Sequence, residues 1–182
     1  DVSIHSNPLF IFGKYKKYAR GIPQSRYYAN NKKSANDVVS VEEVIIPPIL
    51  NLTKGSSAIF HTIGIEGKNI RVLGDGRPFI VEIKEPKNRK INMKLLESAI
   101  NEKGKGIVEV FDLRFSSRDE LRKLKALSKV LVNKYRILIK VHKEVTDTAI
   151  ENLKSSLKEK IVTQKTPTRF LKRGYKDKTK RK

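Results

Sequence analysis

The chain has 182 residues, and its 40 Lys and Arg against 19 Asp and Glu give a formal charge of +21, which exceeds what solubility requires and implies a polyanionic partner: RNA, DNA or an acidic membrane surface. The absence of cysteine excludes disulfides, thiolate metal sites and cysteine nucleophiles, and three scattered histidines argue against zinc, so we expect no metal and no cofactor. No apolar run approaches the roughly 20 residues of a membrane span, and Asp1–Ser6 do not resemble a signal peptide, so we expect a cytoplasmic protein that does not bind membranes.

The first 38 residues are predicted to form a basic, tyrosine-rich segment that begins with a strand at Leu9–Phe12. From Lys14 to Lys33 the sequence contains no acidic residue, and tyrosines alternate with cations. Phosphate-neutralising and base-stacking groups thus occur together, which is typical of RNA-binding surfaces. The alternative is a solvated loop with a few core tyrosines. The candidate RNA-binding residues here are Lys14, Tyr15, Lys16, Lys17, Tyr18, Arg20, Arg26 and Tyr27.

Residues 39–165 are predicted to form an α+β core. Helices are indicated after Ser40 (Val41–Ile46), after Asn92 (Met93 to Ile100), after the capping box of Ser117 and Glu120 (with Leu121, Leu124, Leu127 and Leu131 on one face) and after Thr146 (with Ala149, Ile150, Leu153 and Leu157 together). Strands are indicated by β-branched and aromatic residues at Ile70–Leu73, Phe79–Lys84, Ile107–Leu113 and Tyr135–Val141. Gly74 and Gly76 predict a hairpin turn between the first two of these strands.

The order of these elements predicts helices packed on a mixed, mostly antiparallel sheet. Residues 166–182 follow as a basic tail, which we expect to be disordered until a polyanion neutralises it. The basic residues at this end of the chain are also candidates for RNA binding, and they are Lys165, Arg169, Lys172, Arg173, Lys176, Lys178, Lys180, Arg181 and Lys182.

Four stretches together resemble a known family: Asn7–Arg26, Ser40–Ile45, Ile70–Ile83 and Gln164–Arg169. In this order and at these spacings they are similar to the tRNA pseudouridine synthases of archaea and eukaryotes that modify uridines of the TΨC loop (tRNA pseudouridine 54/55 synthase). Such enzymes act on a uridine flipped out of its stack. The resemblance also implies a further part of the catalytic domain and a separate N-terminal domain with paired cysteines, which we expect this protein to lack.

The resemblance implies a catalytic aspartate that closes a Gly-Arg-Glu-Asp motif, followed by a second aspartate and an arginine. The corresponding residues here are Gly64, Ile65, Glu66, Gly67 and Asn69, so the motif is degenerate and we expect no catalytic residue. If Glu66 replaced the missing aspartate, its carboxylate would enter the catalytic site from another direction. A misplacement of about 1 Å can cost a hundredfold in rate. Tyr135 aligns with the tyrosine that packs against the target base, and Arg71 and Arg77 are candidate phosphate contacts; the alternatives are a core tyrosine and a loop brace.

These observations lead us to expect a shortened, non-catalytic relative of the synthase that binds RNA. Its small size and basic tail favour rRNA and a ribosomal or ribosome-associated protein, with ribosomal proteins as further partners. The alternatives are a tRNA pseudouridine synthase that acts on TΨC-loop uridines, completed by a second polypeptide, and a non-catalytic tRNA chaperone.

Overall fold

The computed structural model describes residues 6–26, 39–127 and 134–160, together with the backbone of 162–163 and 180–181. The chain forms two compact units, which divide between Asn133 and Lys134. The first unit contains a four-stranded sheet and three helices among its described residues. The second contains one helix and a two-stranded pairing.

The sheet of the first unit consists of β1 (Leu9–Lys17), β2 (Ser57–Thr62), β3 (Val72–Lys84) and β4 (Val108–Ser116). Its strand order is β2-β3-β1-β4, and all three pairings are antiparallel. The predicted α+β fold class is therefore confirmed. β1 lies between β3 and β4, so residues of the basic N-terminal segment form the centre of the sheet.

The helices of the first unit are α1 (Val41–Thr53), α2 (Met93–Lys103) and α3 (Arg118–Leu127). α1 begins after Ser40, as predicted, with a capping box in which Ser40 Oγ accepts from the Glu43 amide and the Glu43 carboxylate accepts from the Ser40 amide. The Asn92 side chain caps α2 by accepting from two amides, and Ser117 Oγ accepts from the Glu120 amide at the start of α3. Local capping chemistry thus fixes all three helix starts.

Two differences concern α1 and α3. α1 continues beyond the predicted end at Ile46 and runs through Pro47 and Pro48. At α3, the Glu120 carboxylate binds Arg114 and Ser116, and the Arg114 hydrogen bond lowers the pKa of Glu120 to about 2. Leu131, predicted on the apolar face of this helix, lies outside the described residues.

Different helices pack on the two faces of the sheet. α1 and α2 cover one face, where the larger core contains Ile11, Tyr15, Phe79 and Val81 of the sheet with Val44, Ile45, Leu96 and Ile100 of the helices. α3 covers the other face, where Leu121 and Leu124 pack against Phe10, Ile63 and Ile80. Side chains of β1 alternate between these faces, as expected for a central strand.

The predicted hairpin at Gly74 and Gly76 is wrong, because both glycines lie inside the single strand β3. They have φ values of +62° and +73°, which L side chains rarely adopt. The pairing of β1 with β3 jumps here from Tyr15–Arg77 to Lys17–Val72. The glycines therefore form a bulge, which local sequence cannot distinguish from a turn because both need positive φ.

Two further differences concern strands. The sequence did not predict β2, which pairs with β3 at the edge of the sheet. The strand predicted at Tyr135–Val141 is wrong: the backbone there has no regular secondary structure, and Leu138 is 97% exposed. Alternation indicates a strand only where a neighbour supplies hydrogen bonds and covers one face, and no described strand pairs with this segment.

In the second unit, α4 (Asp147–Leu157) begins where a helix was predicted, and Thr146 caps it because its Oγ1 accepts from the Ala149 amide. The unit also contains β5 (Val162–Thr163) and β6 (Lys180–Arg181), which pair antiparallel. The end of the predicted tail therefore includes a short strand at Lys180–Arg181, and the rest of that tail lies outside the described residues.

The bulge in β3 provides a test of the fold. A Cβ at Gly76 would lie 2.7 Å from Phe111 Cζ and 3.0 Å from the Tyr15 carbonyl oxygen, whereas a Cβ at Gly74 would meet nothing within 4 Å. We expect Gly74→Ala to cost about 1–2 kcal/mol from backbone strain alone. Gly76→Ala should cost about 1–3 kcal/mol more, because the ring of Phe111 must move. Urea unfolding measures both values, and equal losses for the two variants would contradict the packing described.

Candidate functional site: the buried Glu66 cluster and the basic sheet face

Glu66 lies in the loop that joins β2 to β3, and its side chain is completely buried in a polar cluster. Its carboxylate lies 2.8 Å from Lys17 Nζ and 3.4 Å from Arg77 Nε. The Tyr15 hydroxyl donates to it at 2.8 Å, and Gln24 donates to the Tyr15 hydroxyl at 3.2 Å. Two cations thus surround one carboxylate, so the cluster pairs a buried charge as buried charges require.

The cluster joins four segments of the chain. Lys17, on β1, also donates to the carbonyl oxygens of Ile22 and Gly67. Arg77, on β3, donates to the carbonyl oxygen of Ile63 at the start of the loop. The β2–β3 loop and the segment after β1 are therefore fastened to the sheet by the same three charged groups.

The cluster also fixes the protonation of Tyr15. Burial, and then the charge of Glu66, hold the pKa of Tyr15 well above its usual value of 10. The hydroxyl therefore stays protonated even at alkaline pH values at which a free tyrosine would ionise, and it donates to Glu66.

Gly67, which follows Glu66, lies at the edge of this cluster. It is half-buried, and its φ is not among the positive values of the described residues. A Cβ there would meet only Ile70 side-chain atoms, at 3.2 and 3.4 Å. Neither the backbone conformation nor the available space therefore demands glycine at the position that corresponds, by the family resemblance, to the catalytic aspartate.

The structure divides the candidates on β1 between two environments. Tyr15 and Lys17 are fully buried, so they belong to the core and the Glu66 cluster and are not available to stack on or contact RNA. Lys14 and Lys16 point to the opposite face and keep partial exposure. Their ammonium groups lie 5.9 and 5.1 Å from the centre of the Phe111 ring.

The other described candidates have different surroundings. Tyr18 is 40% exposed and its hydroxyl donates to Glu109, which raises the pKa of Tyr18. Arg26 is exposed and ion-pairs with Glu42, while Arg20 and Arg71 are exposed. Arg77 braces the loop, so it takes the structural alternative that the sequence left open.

The remaining candidates belong to the second unit or lie outside the residues whose side chains the structure describes. Tyr135 belongs to the second unit and is 63% exposed. Lys180 and Arg181 are described by their backbone alone. The others lie outside the described residues: Tyr27, Lys165, Arg169, Lys172, Arg173, Lys176, Lys178 and Lys182.

Sequence reasoning did not identify Gln24, which belongs to the Glu66 cluster, or Phe111, which lies beside Lys14 and Lys16. Gln24 carries no local signal, since only the fold brings it to Tyr15. Phe111 could have been found by extending β1: Phe10, Phe12, Lys14 and Lys16 then share one face, and an aromatic from a neighbouring strand is expected beside them. Within the described residues, no three acidic or histidine side chains form a possible metal site, and no described helix has the length and apolar character needed to cross a bilayer.

The family profile described as "Pus10, C-terminal" matches residues 10–182. The chain belongs to the Pus10 family. It is 37% identical over 172 residues to the tRNA pseudouridine synthase Pus10 of Thermofilum pendens and 40% identical over 185 residues to that of Methanocaldococcus jannaschii. A third relative of the same name, from Methanothermobacter marburgensis, is 40% identical over 178 residues.

These alignments cover 94%, 95% and 92% of this chain but only 38%, 39% and 44% of the three relatives, respectively. The chain therefore spans about two fifths of the length of the Pus10 proteins it matches. The resemblance identified from sequence motifs is confirmed. The prediction of a ribosomal, rRNA-binding protein is wrong, because nearly the whole chain aligns with proteins named as tRNA pseudouridine synthases. A high positive charge and a basic tail indicate a polyanionic partner, but they do not distinguish rRNA from tRNA.

The buried cluster predicts a large effect of a single charge. Glu66→Gln leaves Lys17 without its carboxylate in a site that has no exposed surface, and breaking a buried pair costs about 3–5 kcal/mol. Adding Lys17→Met should recover part of that loss, because the uncompensated cation is removed. Urea unfolding of the wild type, Glu66→Gln, Lys17→Met and the double variant gives the four free energies of unfolding that this double-mutant cycle compares.

The matched control is the exposed pair of Asp119 and Arg122, whose side chains are 76% and 74% exposed. Asp119→Asn should change the free energy of unfolding by less than about 1 kcal/mol. A Glu66→Gln variant as stable as Asp119→Asn would refute the structural importance of the cluster.

Proposed function

We propose that this chain binds tRNA, as the tRNA-binding part of a pseudouridine synthase scaffold. Support comes from the alignment of more than nine tenths of its length with tRNA pseudouridine synthases. The formal charge of +21 agrees with a polyanionic partner. A tRNA partner also agrees with the cytoplasmic location expected from the sequence.

In this proposal the chain holds tRNA but does not itself supply the catalytic carboxylate. Position 67 is glycine, and the neighbouring Glu66 is completely buried, with its carboxylate held by Lys17, Arg77 and Tyr15. A carboxylate in that position cannot reach a nucleotide unless the cluster opens, at a cost of about 3–5 kcal/mol. The single observation that carries this part of the proposal is the burial of Glu66 beside Gly67.

The second candidate is an active synthase in which Glu66 performs the chemistry. The names of the relatives favour it, and so does the presence of a carboxylate one residue from the expected position. The two candidates share tRNA as the partner and differ in whether the chain alone makes pseudouridine.

The first experiment tests the partner. We expect the purified chain to bind an unmodified tRNA transcript at least about tenfold, or about 1.4 kcal/mol, more tightly than an rRNA fragment of equal length at the same salt concentration. Fluorescence anisotropy gives both dissociation constants. Equal affinity for the two RNAs would overturn the assignment to tRNA.

The second experiment tests the chemistry on the same transcript. We expect chemical mapping to detect no new pseudouridine after incubation with this chain, while the Methanocaldococcus jannaschii relative serves as the positive control. Pseudouridine that depends on the chain would establish the second candidate. In that case Glu66→Gln, shown to be folded by its melting curve, should abolish the product.

A further inference from the structure

The ring of Phe111 lies across the middle of the sheet, on the face that α3 covers only in part. Phe111 is opposite Lys14 in the β1–β4 pairing, yet its ring also reaches β3, because a Cβ at Gly76 would lie 2.7 Å from Phe111 Cζ. Gly76 thus leaves room for the ring above the backbone of β3. Phe111 itself is partly exposed.

A bulge in β4 places Phe111 on this face. Between the pairs Phe12–Arg114 and Lys14–Phe111, two residues of β4 are opposite the single residue Gly13. One of the two, Asp112, has φ +57°, a conformation that is uncommon for a residue other than glycine. Residues three apart in a regular strand face opposite sides. Because of the extra residue, Phe111 and Arg114 instead accompany Lys14 and Phe12 on one side.

The two halves of this face differ in what covers them. At one end, Leu121 and Leu124 of α3 pack with Phe10 and partly buried Phe12, and the Arg114 guanidinium lies 4.2 Å from the centre of the Phe12 ring. At the other end, the ammonium groups of Lys14 and Lys16 flank the Phe111 ring within cation–π range. Lys14 also ion-pairs with the exposed Asp112 at 3.0 Å and keeps 35% of its side chain exposed.

We propose that Phe111, Lys14 and Lys16 form a platform for an unpaired nucleotide of RNA, and we refer to these three residues as the Phe111 platform. The base stacks on the Phe111 ring, and the two lysines turn outward to the adjacent phosphates. An aromatic surface combined with cations is how proteins hold single-stranded RNA without base-specific hydrogen bonds. A base on this platform must be unpaired, because a paired base keeps its faces stacked within the helix.

The inference rests on the proposed function, since it names the part of the RNA that this face of the sheet holds. The test measures binding of three RNAs at one salt concentration: the tRNA transcript, a single-stranded oligoribonucleotide of about 12 nucleotides and its fully paired duplex. Phe111→Ala should weaken binding of the tRNA and the single strand by about 5- to 150-fold. It should weaken binding of the duplex less than about twofold, and Phe111→Tyr should bind like the wild type.

Phe115→Ala is the matched control, because Phe115 is an exposed phenylalanine of the same strand, paired with the core residue Ile11. It should leave all three affinities unchanged. Replacing Lys14 and Lys16 together by Ala should reduce the salt dependence of single-strand binding by about 0.7 per lysine. A thermal melt of each variant verifies that it is folded.

The inference is overturned if Phe111→Ala leaves single-strand binding unchanged, weakens the duplex as much as the single strand, or is matched by Phe115→Ala. If single-strand binding depends on Phe111 but the wild-type chain does not prefer tRNA to the rRNA fragment of equal length, the proposed function is overturned and the platform stands. No measurable binding of any of the three RNAs would overturn both.

Discussion

The carboxylate of Glu66 is the point at which the first unit is joined together. It lies in a site without solvent exposure, between Lys17 of β1 and Arg77 of β3, and the Tyr15 hydroxyl donates to it. Each cation also holds carbonyl oxygens of the neighbouring loops. Because charges removed from water are tolerated only when they are paired, the sheet, the β2–β3 loop and the segment after β1 adopt their arrangement together.

This arrangement explains why two parts of the basic N-terminal segment have opposite roles. Strand alternation sends Tyr15 and Lys17 inward to Glu66, while Lys14 and Lys16 face outward beside Phe111. One strand therefore supplies both the internal scaffold and a cationic surface. The loop that contains position 67 is anchored by Glu66, although position 67 itself carries no carboxylate.

The sequence predicted well whatever depends on neighbouring residues. The caps at Ser40, Asn92 and Thr146 are where local hydrogen bonding placed them, because a capping side chain reaches amides only two or three residues away. Features that depend on distant partners were not accessible: the burial of Lys17 requires Glu66, and β2 requires the edge of β3. Gly74 and Gly76 signalled positive φ correctly, but a turn and a bulge share that signal. The family motifs identified the scaffold, whereas composition pointed to the wrong RNA.

The identity of the RNA that this chain holds in the cell tests the account most directly. Ultraviolet crosslinking in the cells that produce the protein, followed by purification and sequencing of the attached RNA, gives that identity without assuming a substrate. The account predicts that tRNA dominates the crosslinked reads relative to its abundance, with crosslinks concentrated at unpaired nucleotides. Crosslinks dominated by rRNA, or spread over RNAs in proportion to their abundance, would contradict it.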